Sequence, residues 1–472
     1  MAHHLLKSAA LSSHRNIGSN PIFWSFLLVF LFGGLTISSV FMFNPVLPLL
    51  ATLIVASAVF LFDEPFLLLS AFIVIRMSLD YTAAFYMLPV DDTTLSLSQI
   101  FGIGVALLGL LTLIRHRIRL TDFPLIFPFA LILTWGSLTL SYSIAPAISL
   151  QELVRIFDLF SLSFFAFLAV KDTRDIKRLF LVFFLASLLP ILFGIAQFFL
   201  GIGLIDPNVD TPRIFGTFSH PNVFSLFLFV IAILSFSFFL FLALSRSERT
   251  LSLSLFFLIS IVLLLTFSRV AWIALFLFFL ALGIFRYRLA LVPLIIFPVL
   301  LFGLSSSFQS RILDSFASDP DSSLLWRENL WKDTITQAIA DKRVLVGTGL
   351  DTFPLVSENL RGIKLGSSEA HNDFVKFFID GGLVGLTVFL LFLISISVIL
   401  ARHAIYTPDP VLKNLFWLLF LLLAILEVSA LTDNVFKNTP VQWLFFSMLG
   451  AVLGRESVLL KKIARPSKYY QE

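Results

Sequence analysis

The chain has 472 residues, of which 58% are hydrophobic and only 13% are charged, and its mean hydropathy is +0.98. Soluble domains carry about 25% charged residues, so this composition excludes a water-soluble enzyme. The net charge of +4 does not indicate nucleic-acid binding, because the Lys and Arg residues flank apolar segments. With no cysteine, the chain has no disulfide framework, no thiolate metal site and no cysteine nucleophile.

Apolar runs that are long enough to cross a membrane follow one another along the chain. A crossing needs about 17–25 residues, and the sequence predicts 14 such spans, with 12 as the alternative count. They lie at residues 22–43, 45–62, 66–88, 97–114, 123–140, 153–170, 179–200, 222–243, 251–267, 270–285, 289–304, 381–400, 413–431 and 441–455. The first run exceeds the apolar core of a signal peptide, so we expect it to be retained. The prediction is one integral membrane domain over residues 1–472, an all-α polytopic transmembrane helical bundle.

The orientation follows from the basic residues in the short connections, which are retained on the cytoplasmic side. One alternate set of connections is rich in such residues, namely 115–119, 171–178, 246–249, 286–288 and 402, and so is the tail from 455 to 468. The opposite set has almost no positive charge apart from Arg213, Arg269 and Lys437. Both termini are therefore predicted to be cytoplasmic.

One connection is much longer than the others, with about 76 residues from Ser305 to Asp380, and it falls on the extracytoplasmic side. Within it, the apolar residues between Ser323 and Ala340 recur at near-helical spacing, which predicts an amphipathic helix against the bundle or the bilayer surface. We expect Arg327 on this helix to face water or lipid headgroups. It is also a candidate for substrate binding.

Two arginines at the extracytoplasmic interface are candidates for binding an anion. Arg213 lies in the short loop before the eighth span, and Arg269 follows Ser268 at the end of a helix. Placing a charge at the membrane edge costs free energy, so each arginine requires an explanation. One reason is that the arginine snorkels as an interfacial anchor. The alternative is that the planar guanidinium groups bind a phosphate or diphosphate in bidentate fashion.

His371 opens the segment in which the large loop runs into the next predicted span, with Glu369 and Asn372 beside it. A lone histidine is usually structural. This one lies at a boundary between water and membrane, where the near-neutral pKa of a histidine suits proton abstraction. Both interpretations stay open on local grounds. The glycines at 381, 382 and 385 predict close packing of helices.

Several other polar residues favour structural roles. Arg155 and Asp158 are expected to pair within one span, and Arg76 and Asp80 to pair four residues apart. Glu427 is either a group that handles protons or the partner in a buried hydrogen bond. Gly-Thr-Gly at 347–349 predicts a turn. No histidine or carboxylate cluster has the spacing of metal ligands, which predicts that no metal is tightly bound.

Taken together, these motifs resemble the O-antigen ligase and O-antigen polymerase superfamily of polytopic membrane glycosyltransferases. The ligase signature is His, then Asn, Ser or Gln, nine residues, Gly, two residues, and Gly, Thr or Tyr. Here it is His371-Asn372, nine residues to Gly381, then Gly382 and Gly385. The segments around Arg213 and around Ser268-Arg269 are similar to two other recurrent patches of the family. The likeness extends from about residue 205 to 400.

The resemblance implies a donor glycan on undecaprenyl diphosphate and a metal-independent inverting transfer that uses no cofactor. Its implied catalytic residues are His371, Arg213 and Arg269, with Arg213, Arg269, Asn372 and Arg327 binding substrate. The site would face the periplasm from a bacterial inner membrane, among membrane lipids.

The acceptor stays open among three alternatives that share this chemistry. The form of the histidine motif favours a ligase, which transfers the glycan to lipid A-core. A polymerase would extend a growing glycan, and a protein O-oligosaccharyltransferase would modify Ser or Thr. A transporter of the same lipid is the alternative from another class, but it would favour broken helices and charges at the membrane midplane.

Overall fold

The computed structural model describes residues 65–80, 87–90, 93–116, 122–205, 211–242, 245–295, 299, 303, 306–313, 323–361 and 368–463. Helices account for most of this part of the chain. They are α1 (Pro65–Leu79), α2 (Leu97–His116), α3 (Ile126–Thr139), α4 (Pro146–Ala169), α5 (Thr173–Leu200), α6 (Pro221–Phe241), α7 (Arg246–Leu264), α8 (Arg269–Phe285), α9 (Ser306–Leu313), α10 (Ser323–Ala340), α11 (Phe353–Arg361), α12 (Asp373–Tyr406), α13 (Pro410–Ser429) and α14 (Thr439–Ile463), with a 3₁₀ turn at Arg288–Leu291.

The predicted fold class, an all-α polytopic bundle, is confirmed. Among the described residues, six helices, α5, α6, α7, α12, α13 and α14, are long and apolar enough to cross a membrane, and α1, α2, α3 and α8 are shorter apolar helices. Helices α1 to α8 and α12 to α14 lie over eleven of the predicted spans. The predicted spans at 22–43 and 45–62 lie outside the described residues, and the span at 289–304 is described only in part.

The predicted span at 66–88 is too long. Helix α1 ends at Leu79, and residues 87–90 instead form strand β1 (Met87–Val90), which pairs antiparallel with β2 (Thr93–Ser96). Pro89 has no backbone N–H to continue a helix, and the β-branched Thr93 and Thr94 favour an extended chain. A hydropathy window does not register either preference, which is why the prediction missed this hairpin.

Helix α12 is longer than predicted, because it begins at Asp373 instead of residue 381. Asn372 caps its first turn, with Oδ1 accepting hydrogen bonds from the N–H groups of Phe374 and Val375. The helix then breaks at Gly382, which has φ 61° and ψ −157°. Beyond the break, the N–H of Leu383 donates to the Val344 carbonyl at 2.8 Å, so the interruption is satisfied by the preceding loop.

The glycines of this segment let neighbouring elements pack closely against α12, as predicted. A Cβ added to Gly382 would lie 2.3 Å from the carbonyl carbon of Leu345, and one added to Gly381 would lie 2.3 Å from the ring of Trp135. Gly385 packs on the same indole. Only glycine fits here, and the broken helix is thereby held against both α3 and the loop before α11.

The segment before α12 forms a small layer over the start of that helix. The predicted amphipathic helix is confirmed as α10, and Leu330 on it packs with Phe353 of α11 and with Ile379 of α12 in a separate apolar cluster. The predicted loop from Ser305 to Asp380 therefore contains helices α9 to α11 and the first turns of α12. This layer covers the end of the bundle at which His371 lies, called here the His371 end.

Candidate active site

His371 lies in the turn between α11 and α12, with its backbone at φ 48°. Left-handed backbone is uncommon outside glycine, so neighbouring contacts must hold it in place. Trp331 of α10 provides one of these contacts, because its indole Nε1 donates a hydrogen bond to the Ala370 carbonyl at 2.7 Å. Asn372 provides the other by capping α12. The side chain of His371 is 14% exposed and is thus within reach of solvent.

The ring of His371 is oriented by a carboxylate from a distant part of the chain. Its Nδ1 lies 3.2 Å from Oδ1 of Asp433, in the connection between α13 and α14. Burial raises the pKa of Asp433, but hydrogen bonding to His371 and the charges of His371 and Arg327 lower that pKa to about 2. Asp433 is therefore ionised, and we assign the hydrogen to Nδ1. The other ring nitrogen, Nε2, then has the lone pair that a general base needs.

His220 has a different environment from His371. It caps α6, with Nδ1 accepting a hydrogen bond from the N–H of Asn222 at 3.1 Å. Burial and the nearby Arg213 charge lower the pKa of His220 to about 4, so the ring is neutral at neutral pH and is a poor base. This capping contact gives His220 a structural role at the start of α6.

Arg213 is buried, with 4% of its surface exposed, in the loop before α6. Its backbone pairs with Leu204, its Nε donates to the Thr266 carbonyl at 3.0 Å, and its Nη2 donates to Asn222 Oδ1 at 3.0 Å. The same Asn222 oxygen accepts from the hydroxyl of Ser268, the residue before α8. Arg213 therefore joins the start of α6 to the start of α8 while adding a positive charge there.

Three further arginines, from α8, α9 and α10, lie within electrostatic range of one another. Burial and the charges of Arg269 and Arg311 lower the pKa of Arg327, whose Nη1 donates to the Thr432 carbonyl at 2.8 Å. Arg311 is 7% exposed and donates from Nε to the Phe267 carbonyl at 3.3 Å. Arg327 is half-buried, and its side chain turns toward the connection that contains Asp433.

The structure thus gathers most of the predicted site residues. His220 interacts electrostatically with Arg213, His371, Asp433 and Arg327, and Arg327 in turn interacts with Arg269. Asn372 is also adjacent, although its side-chain oxygen is used by the cap of α12. Sequence reasoning missed Asp433 and Arg311. A sequence feature could have identified Asp433, because it is an acidic residue in the same short connection as Lys437. Lys437 is one of the few basic residues on the side of the membrane that has almost no positive charge.

A second polar network lies beside this site and ties three segments together. Lys376 of α12 contacts Oδ2 of Asp380 at 2.5 Å and Oδ1 of Asp351 at 2.9 Å. Lys437, from the connection before α14, contacts the same oxygen of Asp351 at 3.1 Å and Glu369 at 2.7 Å. Burial raises the pKa of Asp351, but the two lysines lower it to about 2.

Asp380 also fixes the turn predicted at residues 347–349. Its main-chain oxygen accepts from the N–H of Gly349 at 2.8 Å, and its carboxylate accepts from the N–H groups of Asp351 and Phe353 at 2.9 and 2.8 Å. The carboxylate thereby caps α11. The predicted turn is confirmed, and its role is to join α11 to α12.

Lys437→Met should lower the free energy of unfolding by about 1–3 kcal/mol, because it leaves Asp351 and Glu369 without a shared cation. The measurement is thermal unfolding of the purified protein in detergent. Lys332→Met is the matched control, since Lys332 and Glu328 pair on the surface with 67% and 51% of their side chains exposed. That control should change stability by less than about 0.5 kcal/mol. Equal effects of the two variants would contradict the role of Lys437.

This network also predicts a dependence of stability on pH. The pKa of Asp351 is lower in the folded protein than the value of about 3.9 in an unfolded chain. Its stabilising contribution is therefore complete above about pH 4 and is lost as the pH falls toward about 2.

Two predictions about buried charges are corrected. Arg155 pairs with Glu152 and not with Asp158, since both its Nε and its Nη2 lie 2.7 Å from the Glu152 carboxylate. The longer glutamate side chain allows this bidentate geometry. Arg76 pairs with Asp80, as predicted. The Oε1 of Glu427 is buried and has no hydrogen-bond partner among the described residues, so that oxygen does not make the expected hydrogen bond.

The fold and the site define a multi-pass membrane protein with a basic polar site at one end of its helical bundle. The family model described as O-antigen ligase matches residues 254–390, a range that contains Arg269, Arg311, Arg327 and His371. This match supports membership of the chain in the O-antigen ligase superfamily. Arg213 and Asp433 lie outside the matched range. No curated protein matches the chain significantly.

Proposed function

We propose that this protein is a membrane glycosyltransferase that moves a glycan from undecaprenyl diphosphate to an acceptor hydroxyl at the extracytoplasmic face. The observation that carries the proposal is the convergence of the His371–Asp433 pair with several arginines at one end of the bundle. A base and a set of cations are what this reaction needs, because a proton leaves the acceptor and negative charge develops on the leaving group.

On the donor side, the arginines bind the diphosphate that links the glycan to the lipid. Arg269 is the principal candidate, with Arg327 and Arg213 adding positive charge around it. Arg213 already uses two of its guanidinium nitrogens on Thr266 and Asn222, so its main role is to shape the site and to contribute charge. As the bond between the anomeric carbon and the diphosphate oxygen breaks, its electron pair moves onto the diphosphate, where the cations stabilise it.

On the acceptor side, Nε2 of His371 removes the proton from the acceptor hydroxyl while that oxygen attacks the anomeric carbon. The attack comes from the face opposite the diphosphate, so the configuration inverts. The Asp433 carboxylate holds the ring in position and stabilises the positive charge that forms on it. In the described part of the chain, no group of three His, Asp or Glu side chains could hold a metal ion. Metal independence stays a prediction.

Lipid A-core is the proposed acceptor, which makes the protein an O-antigen ligase of the bacterial inner membrane. The form of the histidine motif, His371 followed by Asn372, supports this choice. The test is transfer in vitro by the purified protein from a defined undecaprenyl diphosphate glycan, with lipid A-core, a second lipid-linked glycan and a Ser/Thr peptide as separate acceptors. Transfer to lipid A-core alone is the expected result. Exclusive use of another acceptor would overturn the ligase assignment, and no transfer with any would overturn the proposal.

The layer formed by α9 to α11 should face the outside of the cytoplasmic membrane. Because the chain has no cysteine, a single cysteine reports its own location without interference. Asn329→Cys on exposed α10 should react with a membrane-impermeant thiol reagent in spheroplasts, whereas Ser247→Cys, at the opposite end of the bundle, should react only after lysis. The reverse pattern would invert the topology.

A further inference from the structure

An exposed apolar patch lies where the loop before α11 meets the broken helix α12. Leu345 and Val346 of the loop are 64% and 42% exposed, and Leu383 and Val384 of α12 are 47% and 49% exposed. These four residues, called here the junction patch, come from two distant parts of the chain. A group of large apolar side chains at a surface marks a place of contact with something apolar, either a protein or a membrane.

Backbone hydrogen bonds hold the two halves of the junction patch side by side. The N–H of Leu383 donates to the Val344 carbonyl at 2.8 Å, and the N–H of Val384 donates to the Leu345 carbonyl at 3.2 Å. The two backbones also touch, since a Cβ added to Gly382 would lie 2.3 Å from the carbonyl carbon of Leu345. The loop is therefore fixed at the level at which the second part of α12 begins.

The length of α12 places this level relative to a membrane. Residues 381–401, between the charged residues Asp380 and Arg402, contain no charged side chain. At about 1.5 Å per residue they extend for about 30 Å, which is the thickness of the hydrocarbon core. Leu383 thus lies just inside the core, on the side of the His371 end. Because the loop is hydrogen-bonded to this part of α12, we expect Leu345 at the same depth.

The loop meets the condition that a hydrocarbon environment sets for non-helical backbone. In that environment a carbonyl group has no water to bond to and must find its partner within the protein. The three consecutive carbonyls of Arg343, Val344 and Leu345 do so, accepting from the N–H groups of Gly347, Leu383 and Val384 at 2.8, 2.8 and 3.2 Å. The backbone carbonyls of the loop can therefore enter the membrane without losing hydrogen bonds.

The surroundings of the junction patch favour lipid over a protein partner. Leu138, near the end of α3, is 63% exposed, and α3 packs on α12 through Trp135, so a second apolar helix ends beside the patch. Lys342, before the loop, is exposed, and the neighbouring Asp341 accepts hydrogen bonds from Gln337 at 2.9 Å. A lysine at a membrane edge lays its stem along apolar surface and keeps its ammonium group among headgroups.

We propose that the loop of residues 343–346 enters the acyl-chain region of the leaflet at the His371 end, with the junction patch in contact with lipid. The inference does not depend on the proposed reaction. It changes the interpretation of the long connection at residues 305–380, since one part of that connection returns into the membrane. It also gives the layer of α9 to α11 an anchor that fixes the height of this layer above the bilayer.

The test is the accessibility of nitroxide spin labels on single cysteines, with the protein in phosphatidylcholine nanodiscs. Because the chain has no cysteine, each label reports one position. Oxygen concentrates among acyl chains, whereas a polar nickel chelate stays in water. The ratio of oxygen collisions to nickel collisions should be at least about fivefold higher for Leu345→Cys and Val346→Cys than for Asn329→Cys, which is on the exposed surface of α10.

Ile394→Cys is the matched control for contact with lipid. Ile394 is on α12, is 55% exposed and lies about 17 Å beyond Leu383 along the helix. Its label should prefer oxygen as the labels at Leu345 and Val346 do. Nickel collisions at Leu345 as frequent as those at Asn329 would place the loop in water and overturn the proposal. Few collisions with either reagent would show that protein, such as a second copy of the chain, covers the patch, which would overturn it as well.

Discussion

His371→Ala should lose glycan transfer by a factor of about 10²–10⁴, the usual contribution of a general base, while still binding the donor. The reason is that the ring removes a proton from the acceptor and does not hold the diphosphate. The measurement is transfer in vitro from a defined lipid-linked glycan, together with donor binding by the same preparation. Full transfer by His371→Ala would remove the histidine from the mechanism.

His220→Ala is the control for this variant, because His220 is a second histidine at the same end of the bundle. The imidazole of His220 caps α6, so its loss should cost about 0.5–2 kcal/mol of stability and reduce transfer much less. Both assays should be repeated with EDTA. Unchanged transfer by the parent is the expected result, and loss of its activity on chelation would contradict a metal-independent mechanism.

Arg269→Ala should weaken donor binding by about 10- to 100-fold, which corresponds to losing one or two charge-assisted hydrogen bonds to the diphosphate. Arg269→Lys should recover only part of this affinity, because an ammonium group keeps the charge but loses the bidentate geometry. The measurement is binding of undecaprenyl diphosphate glycan to the purified protein in nanodiscs. Parent-like affinity in Arg269→Ala would remove this residue from the donor site.

Arg402→Ala provides the comparison for Arg269, since Arg402 is an exposed arginine near the opposite end of α12. It should bind the donor like the parent, and a loss there would point to a general effect of charge. Arg213→Ala should reduce donor binding as well, but it also removes the hydrogen bonds to Thr266 and Asn222. Its thermal stability should therefore fall, whereas that of Arg269→Ala should change less.

Those elements of the fold that depend on local pattern could be predicted from the sequence. Long apolar runs identified most of the helices of the bundle, and the spacing of Trp326, Leu330 and Ile335 identified α10. The hairpin of β1 and β2 was missed because it depends on the preferences of a few residues within an apolar stretch. The early start of α12 was missed because the polar Asn372 cap precedes the apolar run by which spans are recognised.

The candidate site could be predicted only in part, because its partners come from distant parts of the chain. His371 and Arg269 stood out as costly polar groups at the ends of apolar runs. Asp433 is 62 residues from His371, and no periodic pattern links the two. The pairing of Arg155 was predicted wrongly for a related reason, since carboxylates lie three residues away on both sides and spacing does not distinguish them.

The break in α12 at Gly382 separates a part of the helix that can insert into the membrane by itself from a part that needs other segments to fold. The helix from Leu383 to Tyr406 satisfies most of its backbone through its own turns, so it can enter the bilayer like any other span. The turn that contains His371 is different, because it depends on the hydrogen bond from Trp331 of α10 to the Ala370 carbonyl and on the contact with Asp433 in the connection before α14. We therefore expect membrane insertion and completion of the site to be separate steps. A protein with every span inserted would still lack the His371 turn until α10 and the connection that contains Asp433 have packed against it.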